Sequence, residues 1–206
     1  MEISYLGANC ISLSSKSVQV LIDPTVLGID IDTKKADIIV TTFEQNLTPK
    51  DEQLLINTPG EYESKGVSVK GTPVRGHRDE AGKQTATMYR IDMAGFRLAV
   101  VGHIHPDLSD DQLEALGTVD ILIVPVGGSG YTLDASGAAG VVRAVEPMVV
   151  IPTHYADSAV KYEVPQSELK LFTDELGAPM QEEDRYKIKD GSLPEQLTVV
   201  TLSRTS

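Results

Sequence analysis

Apolar and polar positions alternate with a period of two through much of the first half of the chain, a spacing that predicts strands. Ile3-Ser4-Tyr5-Leu6 ends at Gly7, Ile11 and Leu13 alternate with Ser12 and Ser14, and the denser run Val18 to Ile22 stops at Asp23-Pro24. Further strands are expected at Ile38 to Val40, at Leu54 to Ile56 and around Val67 and Val69. Thr87 to Ile91 and Arg97 to Val101 read as a hairpin turning at Met93-Ala94-Gly95.

Helical signals enter between the strands. Thr48 with Pro49 and Asp51 resembles a helix start and predicts a short helix to about Gln53. Ser109, followed by Asp110 and Asp111, predicts a helix that Gly117 stops. Asp134 caps a helix to about Val145, with Ala138, Val141, Val142 and Val145 on one stripe. Ser167 to Leu176, closed by Gly177, is amphipathic. Val119 to Val124, Met148 to Ile151 and Leu197 to Leu202 complete the strands, and Glu182-Glu183-Asp184 reads as a surface turn.

No repeat, low-complexity stretch or linker divides the 206 residues, so one domain over 1–206 is expected, with sheets covered by helices. Several strands end in polar residues: Asp23, the loop after Val40, His103 and His154. Strand ends far apart in sequence can meet in one site. The loop Ala36 to Pro49 has the architecture of such a site, yet it offers one carboxylate, Glu44.

The formal charge of -12 argues against nucleic acid and anionic membranes as partners. The single cysteine, Cys10, excludes an internal disulfide and reads as a small core residue. Neither a signal peptide nor an apolar run of spanning length is evident, which points to a cytoplasmic protein.

A set of motifs in register resembles the metallo-β-lactamase superfamily, in its small branch of Zn-dependent hydrolases related to ascorbate-6-phosphate lactonase. The pieces are Tyr5-Leu6-Gly7 with Cys10, Leu21 to Pro24, Ala36-Asp37-Ile38, Thr58 to Glu63, Val101-Gly102, Val119 to Gly128, and Glu146 to Tyr155. The resemblance implies an α/β fold, a four-layer αββα sandwich with a metal cleft along one edge of its two sheets. It also implies a dinuclear site built on a His-x-His-x-Asp-His motif, with a metal-bridging hydroxide as nucleophile.

Counted from Ala36-Asp37, that motif falls on Phe43, Gln45, Leu47 and Thr48, or one residue earlier on Thr42, Glu44, Asn46 and Leu47. Neither register supplies a histidine, and none precedes His77. His154 stands at the family's final histidine, His77 near the middle one, and His103 where the family has a bridging aspartate. Asp23 resembles a residue that orients ligands, and Glu61 is retained beside it.

Two functional readings follow from this pattern. In the first, Asp23, Phe43, Glu44, Gln45 and Glu61 line an ancestral cleft without its metals or any other cofactor. The protein then binds a small molecule or a protein partner. In the second, His77, His103 and His154 hold one zinc, manganese or iron ion in a remodelled hydrolase acting on an ester, lactone or phosphodiester. Both leave open a homo-oligomer or pairing with an active paralogue. For His77, His103 and His154 the bland alternative is a set of leftover side chains satisfied by hydrogen bonds. For Glu44 it is a solvated loop carboxylate.

Overall fold

A computed structural model describes residues 1–189 and 191–205. The chain runs through β1 (Glu2–Gly7), β2 (Cys10–Ser14), β3 (Gln19–Ile22), β4 (Ile38–Val40) and β5 (Leu54–Ile56). It continues through β6 (Gly60–Ser64), β7 (Val67–Val74), β8 (Ala86–Met93), β9 (Phe96–Val100), α1 (Asp110–Leu116), β10 (Ile121–Pro125) and α2 (Ala135–Val145). β11 (Val149–Thr153), α3 (Leu169–Leu176), β12 (Met180–Glu183), β13 (Tyr186–Lys187) and β14 (Thr198–Leu202) follow. Two sheets result, ordered β13-β1-β2-β3-β4-β5 and β12-β14-β11-β10-β9-β8-β7-β6. This is the two-sheet sandwich that the resemblance implies.

The period-two pattern explains how the sheets stack. Ile3, Tyr5, Ile11, Leu13, Val20, Ile22, Ile38 and Val40 all turn one way from the first sheet. They meet Val69, Tyr89, Ile91, Leu98, Ile121 and Ile151 of the second in one inter-sheet core. The intervening residues Cys10, Leu21 and Ile39 face outward. β10 and β11 are buried along their whole length, as parallel strands covered on both faces must be. Outside them lie Leu116 of α1, Ala138, Val141 and Val142 of α2, and Phe172 of α3.

The α1 cap is a full capping box, Ser109 with Gln112, and Asp134 takes the Gly137 N–H at 2.8 Å to cap α2. The outer layer of the first sheet is built differently. Among the described residues a single 3₁₀ turn, Thr33–Lys35, and the loops carrying Val26 and Val160 cover it, with no α-helix.

Two expectations are corrected. Thr48 to Gln53 forms no helix; Gln53 N–H reaches Lys50 O at 2.9 Å in a turn, and the Gln53 amide donates to Thr33 O and Ala36 O. Six residues without a buried apolar face do not offset helix nucleation. Glu182 and Glu183 are not a turn but part of β12, whose partner β14 supplies the pairing that its polar sequence does not announce. Tyr186 and Lys187 cross back to pair with β1, burying Tyr186 and Ile188 in the inter-sheet core.

Among the described residues no helix is long and apolar enough to cross a membrane. Core and surface should respond very differently to truncation. Ile91→Ala, at a position with no exposure, is expected to cost about 2–5 kcal/mol in chemical denaturation. Leu171→Ala, at a position 56% exposed, should stay within about 0.5 kcal/mol of the parent.

Candidate functional site

Parallel pairing aims several strand ends at one edge of the sandwich. β3, β4 and β5 run parallel in one sheet, and β9, β10 and β11 in the other. Asp23 follows β3, Thr41 to Gln45 follow β4, Gly102-His103 follows β9, the Gly127 to Tyr131 loop follows β10, and His154 follows β11. The two sheets are tied there by backbone bonds, Thr87 N–H to Thr42 O at 3.0 Å and His154 N–H to Ala8 O at 2.8 Å.

Asp23 is the fixed point of this edge. Its carboxylate accepts from the Thr42 N–H at 2.8 Å, the Thr42 hydroxyl at 2.6 Å and the Gln45 amide at 2.8 Å. Gln45 in turn accepts from the Thr25 N–H at 3.1 Å, so both ends of its amide are in use. Gly102, at φ 61°, lies so close to Thr42 that a Cβ would stand 2.2 Å from Thr42 Oγ1. Burial pushes the Asp23 carboxyl up to about 7, against the pull of the Thr42 and Gln45 hydrogen bonds.

The three sequence-marked histidines come near one another. His103 and His154 lie 4.7 Å apart between ring centroids, at 85°. His77 and His103 share the wall of the adjoining cleft, and the His77 N–H donates to His103 O at 2.8 Å. Each ring turns Nδ1 toward an oxygen acceptor: His77 to Ile104 O at 3.3 Å, His103 to Tyr131 O at 3.3 Å, and His154 to Gln166 Oε1 at 3.2 Å. Gln166 Nε2 donates to Val164 O at 2.9 Å, which orients its oxygen toward His154. A carbonyl oxygen can only accept, so Nδ1 carries the proton and Nε2 keeps its lone pair.

Burial pulls His103 down to about 3, with help from neighbouring His154, and pulls His154 down to about 4. Both imidazoles are neutral at physiological pH.

The other candidates separate. Phe43 sets its ring edge-on to His103 at 5.2 Å. Glu44 is exposed and lines neither lobe of the cleft. Glu61 is exposed on β6 and borders a distinct groove with Lys70 and Arg90. His105 turns away and accepts the Asp107 N–H. His103 and His105 do not share a face, because the chain leaves strand geometry after Val100.

Sequence reasoning missed Tyr131, Tyr162 and Gln166. Tyr131 stacks on His154 at 5.8 Å, and Tyr162 lies 4.9 Å from it on another side. Their only signal was scarcity: aromatics make up 5% of the chain, so a tyrosine in a polar loop stands out.

Together these side chains line a first lobe enclosing about 490 Å³ of space open to solvent, with Asp23, Phe43, His103, Tyr131, His154 and Tyr162 on its walls. Phe43, His103 and Tyr131 also form one wall of a second lobe of about 530 Å³ that carries His77 and Arg78. A metal ion of the kind the family implies would find lone pairs on His103 and His154. Among the described residues, however, no group of three or more His, Cys, Asp or Glu side chains is arranged to hold one. The donor set does not fit the family's dinuclear centre.

Acid should weaken the fold through these groups. A histidine whose folded value lies below its ordinary 6.5 stabilises above that value and loses the contribution as pH falls toward the folded value. Asp23, raised from 3.8, works oppositely and gains over the same range. Two histidines against one carboxyl leave a net loss on the order of 1 kcal/mol per pH unit between roughly pH 6.5 and 4. Urea midpoints across that range should fall steadily, and a double His103→Phe, His154→Phe variant should reverse the trend.

Residues 2–154 match the family model described as the beta-lactamase superfamily domain. A UPF0173 metal-dependent hydrolase from Thermoplasma acidophilum is 30% identical over 122 residues, covering 57% of this chain; the match spans only about half, 54%, of that protein. Among solved structures, a protein from Thermotoga maritima described as a Zn-dependent hydrolase of the metallo-beta-lactamase superfamily superposes with a TM-score of 0.73. It is 22% identical and covers 98% of each chain. A metal-dependent hydrolase by description, from Parabacteroides distasonis, gives a TM-score of 0.66 at 18% identity, covering 98% of this chain and 93% of its own. With three-quarters of its length under the family model and the sandwich and strand-end cleft in place, the chain belongs to the metallo-β-lactamase superfamily.

Proposed function

We propose that this chain has given up the dinuclear metal site of its superfamily and uses the remaining cleft to bind a small organic ligand without hydrolysing it. One observation carries the reading. At the positions where the His-x-His pair belongs, Phe43 packs on His103 and Gln45 is spent on Asp23 and Thr25. Phe43 has no donor atom for a metal, and the Gln45 amide is held at both ends by other partners. Gln45 replaces an imidazole N–H with an amide N–H, and so still serves the Asp23 carboxylate. Leu47, in the same stretch, packs among the apolar residues outside the first sheet.

A second reading, the remodelled mononuclear hydrolase, is favoured by the Nδ1–H bonds that leave Nε2 unprotonated on His77, His103 and His154. The related proteins described as metal-dependent hydrolases point the same way. In that case the three imidazoles would hold the ion, which would supply a Lewis acid to the cleft.

Elemental analysis of the purified, tag-free protein separates the two. The first reading expects zinc, manganese and iron each well below one per chain. Stoichiometric metal that disappears in His154→Ala overturns it and supports the second.

A further inference from the structure

The two lobes of the cleft differ in chemistry, and the difference points to a ligand class. The first lobe is aromatic and aliphatic: Phe43, Tyr131 and Tyr162 stand with Leu27, Val160 and Val164. Leu27, 51% exposed at this lobe, is one of only three large apolar side chains left exposed among the described residues. A hydrophobic mouth in a concave, aromatic-walled site is the usual setting for the apolar body of a small molecule. Lys161 and Glu163 both border this lobe and offset one another in charge.

The second lobe carries Arg78. Its side chain is exposed and makes no hydrogen bond or ion pair among the described residues. Arg78 and Tyr131 line this lobe together, which places the guanidinium near the shared wall. Neighbouring Asp79 is turned into its own loop, where it accepts from the Gly76 N–H at 2.8 Å, the Thr85 N–H at 2.9 Å and the Thr85 hydroxyl at 2.7 Å. An uncommitted guanidinium at a cleft is notable in a chain of net charge -12. Its planar fork matches the oxygens of a carboxylate, sulfonate or phosphate. Lys161 is offset by Glu163 at the first lobe, so discrimination for an anion falls on Arg78 in the second.

We propose that the cleft takes a compact aromatic oxyanion, with its ring in the first lobe against Leu27 and Tyr162 and its anionic group across the Phe43–His103–Tyr131 wall on Arg78. The two lobes share those three side chains, so one molecule can touch both. This assignment rests on the reading of the cleft as a binding site.

Two fluorescent probes test it on the full chain: anilinonaphthalene sulfonate, an aromatic anion, and N-phenylnaphthylamine, its uncharged analogue. The sulfonate should saturate a single site on the folded protein. Arg78→Ala should weaken it by about tenfold, the loss expected for one charge-assisted pair, while the neutral probe shifts less than about twofold. Leu27→Asp should weaken both probes. Arg78 and Leu27 are exposed, so thermal melts matching the parent are expected for both variants.

The proposal is overturned if the sulfonate shows no saturable site, if Arg78→Ala leaves its affinity unchanged, or if Leu27→Asp affects neither probe. Metal content of the same preparation is read separately. Stoichiometric metal would sink the non-hydrolytic reading, whereas an Arg78-dependent preference for the anionic probe would still stand.

Discussion

The cleft edge of this protein is organised around the buried Asp23 carboxylate. Three donors from the β4 exit converge on it, two from Thr42 and one from Gln45, and they fix where the chain goes after leaving the first sheet. Asp23 itself adopts a left-handed backbone at φ 44°, a conformation more accessible to Asp than to most residues, which turns the chain as β3 ends. Thr42 then links to Thr87 of the other sheet, and Gly102 passes against it with no room for a Cβ. His103 follows directly, at the exit of β9. A carboxylate that would be costly to bury alone is acceptable here because its oxygens are met by donors.

A second constraint acts from the opposite side. His154 also takes a left-handed backbone, at φ 54°, where β11 ends. Its N–H binds Ala8 O, its Nδ1 binds Gln166, and Gly127 runs close enough that a Cβ would lie 2.0 Å from His154 O. Thr153 donates to Asn9 just behind it at 3.1 Å. The two histidines therefore follow different strands of the second sheet and are held by separate loops, and they meet at 4.7 Å. Hydrogen bonds and close backbone packing thus fix both rings from their own loops.

The β4 exit follows a physical pattern. Phe43 fills space beside His103 with an apolar ring, and Gln45 gives a donor to Asp23. Both side chains keep this edge packed and hydrogen-bonded around the buried carboxylate. Depressed histidines and an elevated Asp23 tell the same story from electrostatics: the edge tolerates buried titratable groups by keeping them near neutral.

The sequence by itself determined most of the strand pattern, the three α-helices with their Ser109, Asp134 and Gly177 boundaries, and the stretch without a histidine before His77. These are local properties, set by periodicity, capping chemistry and residue identity. Only the tertiary structure decided the rest. The polar Met180–Glu183 became a strand because β14 presented a free edge, and Thr48–Gln53 stayed a turn because no neighbour rewarded a helix there. Glu61 and His105 carried suggestive chemistry in the sequence, but the pairing of β6 and the irregular backbone after Val100 turned them elsewhere. Tyr131, Tyr162 and Gln166 gained their roles from loops that pack over His154, and distance along the chain gives no hint of such contacts. Which side chains share a cleft depends on how two sheets are aligned, and that alignment is a property of the whole inter-sheet core.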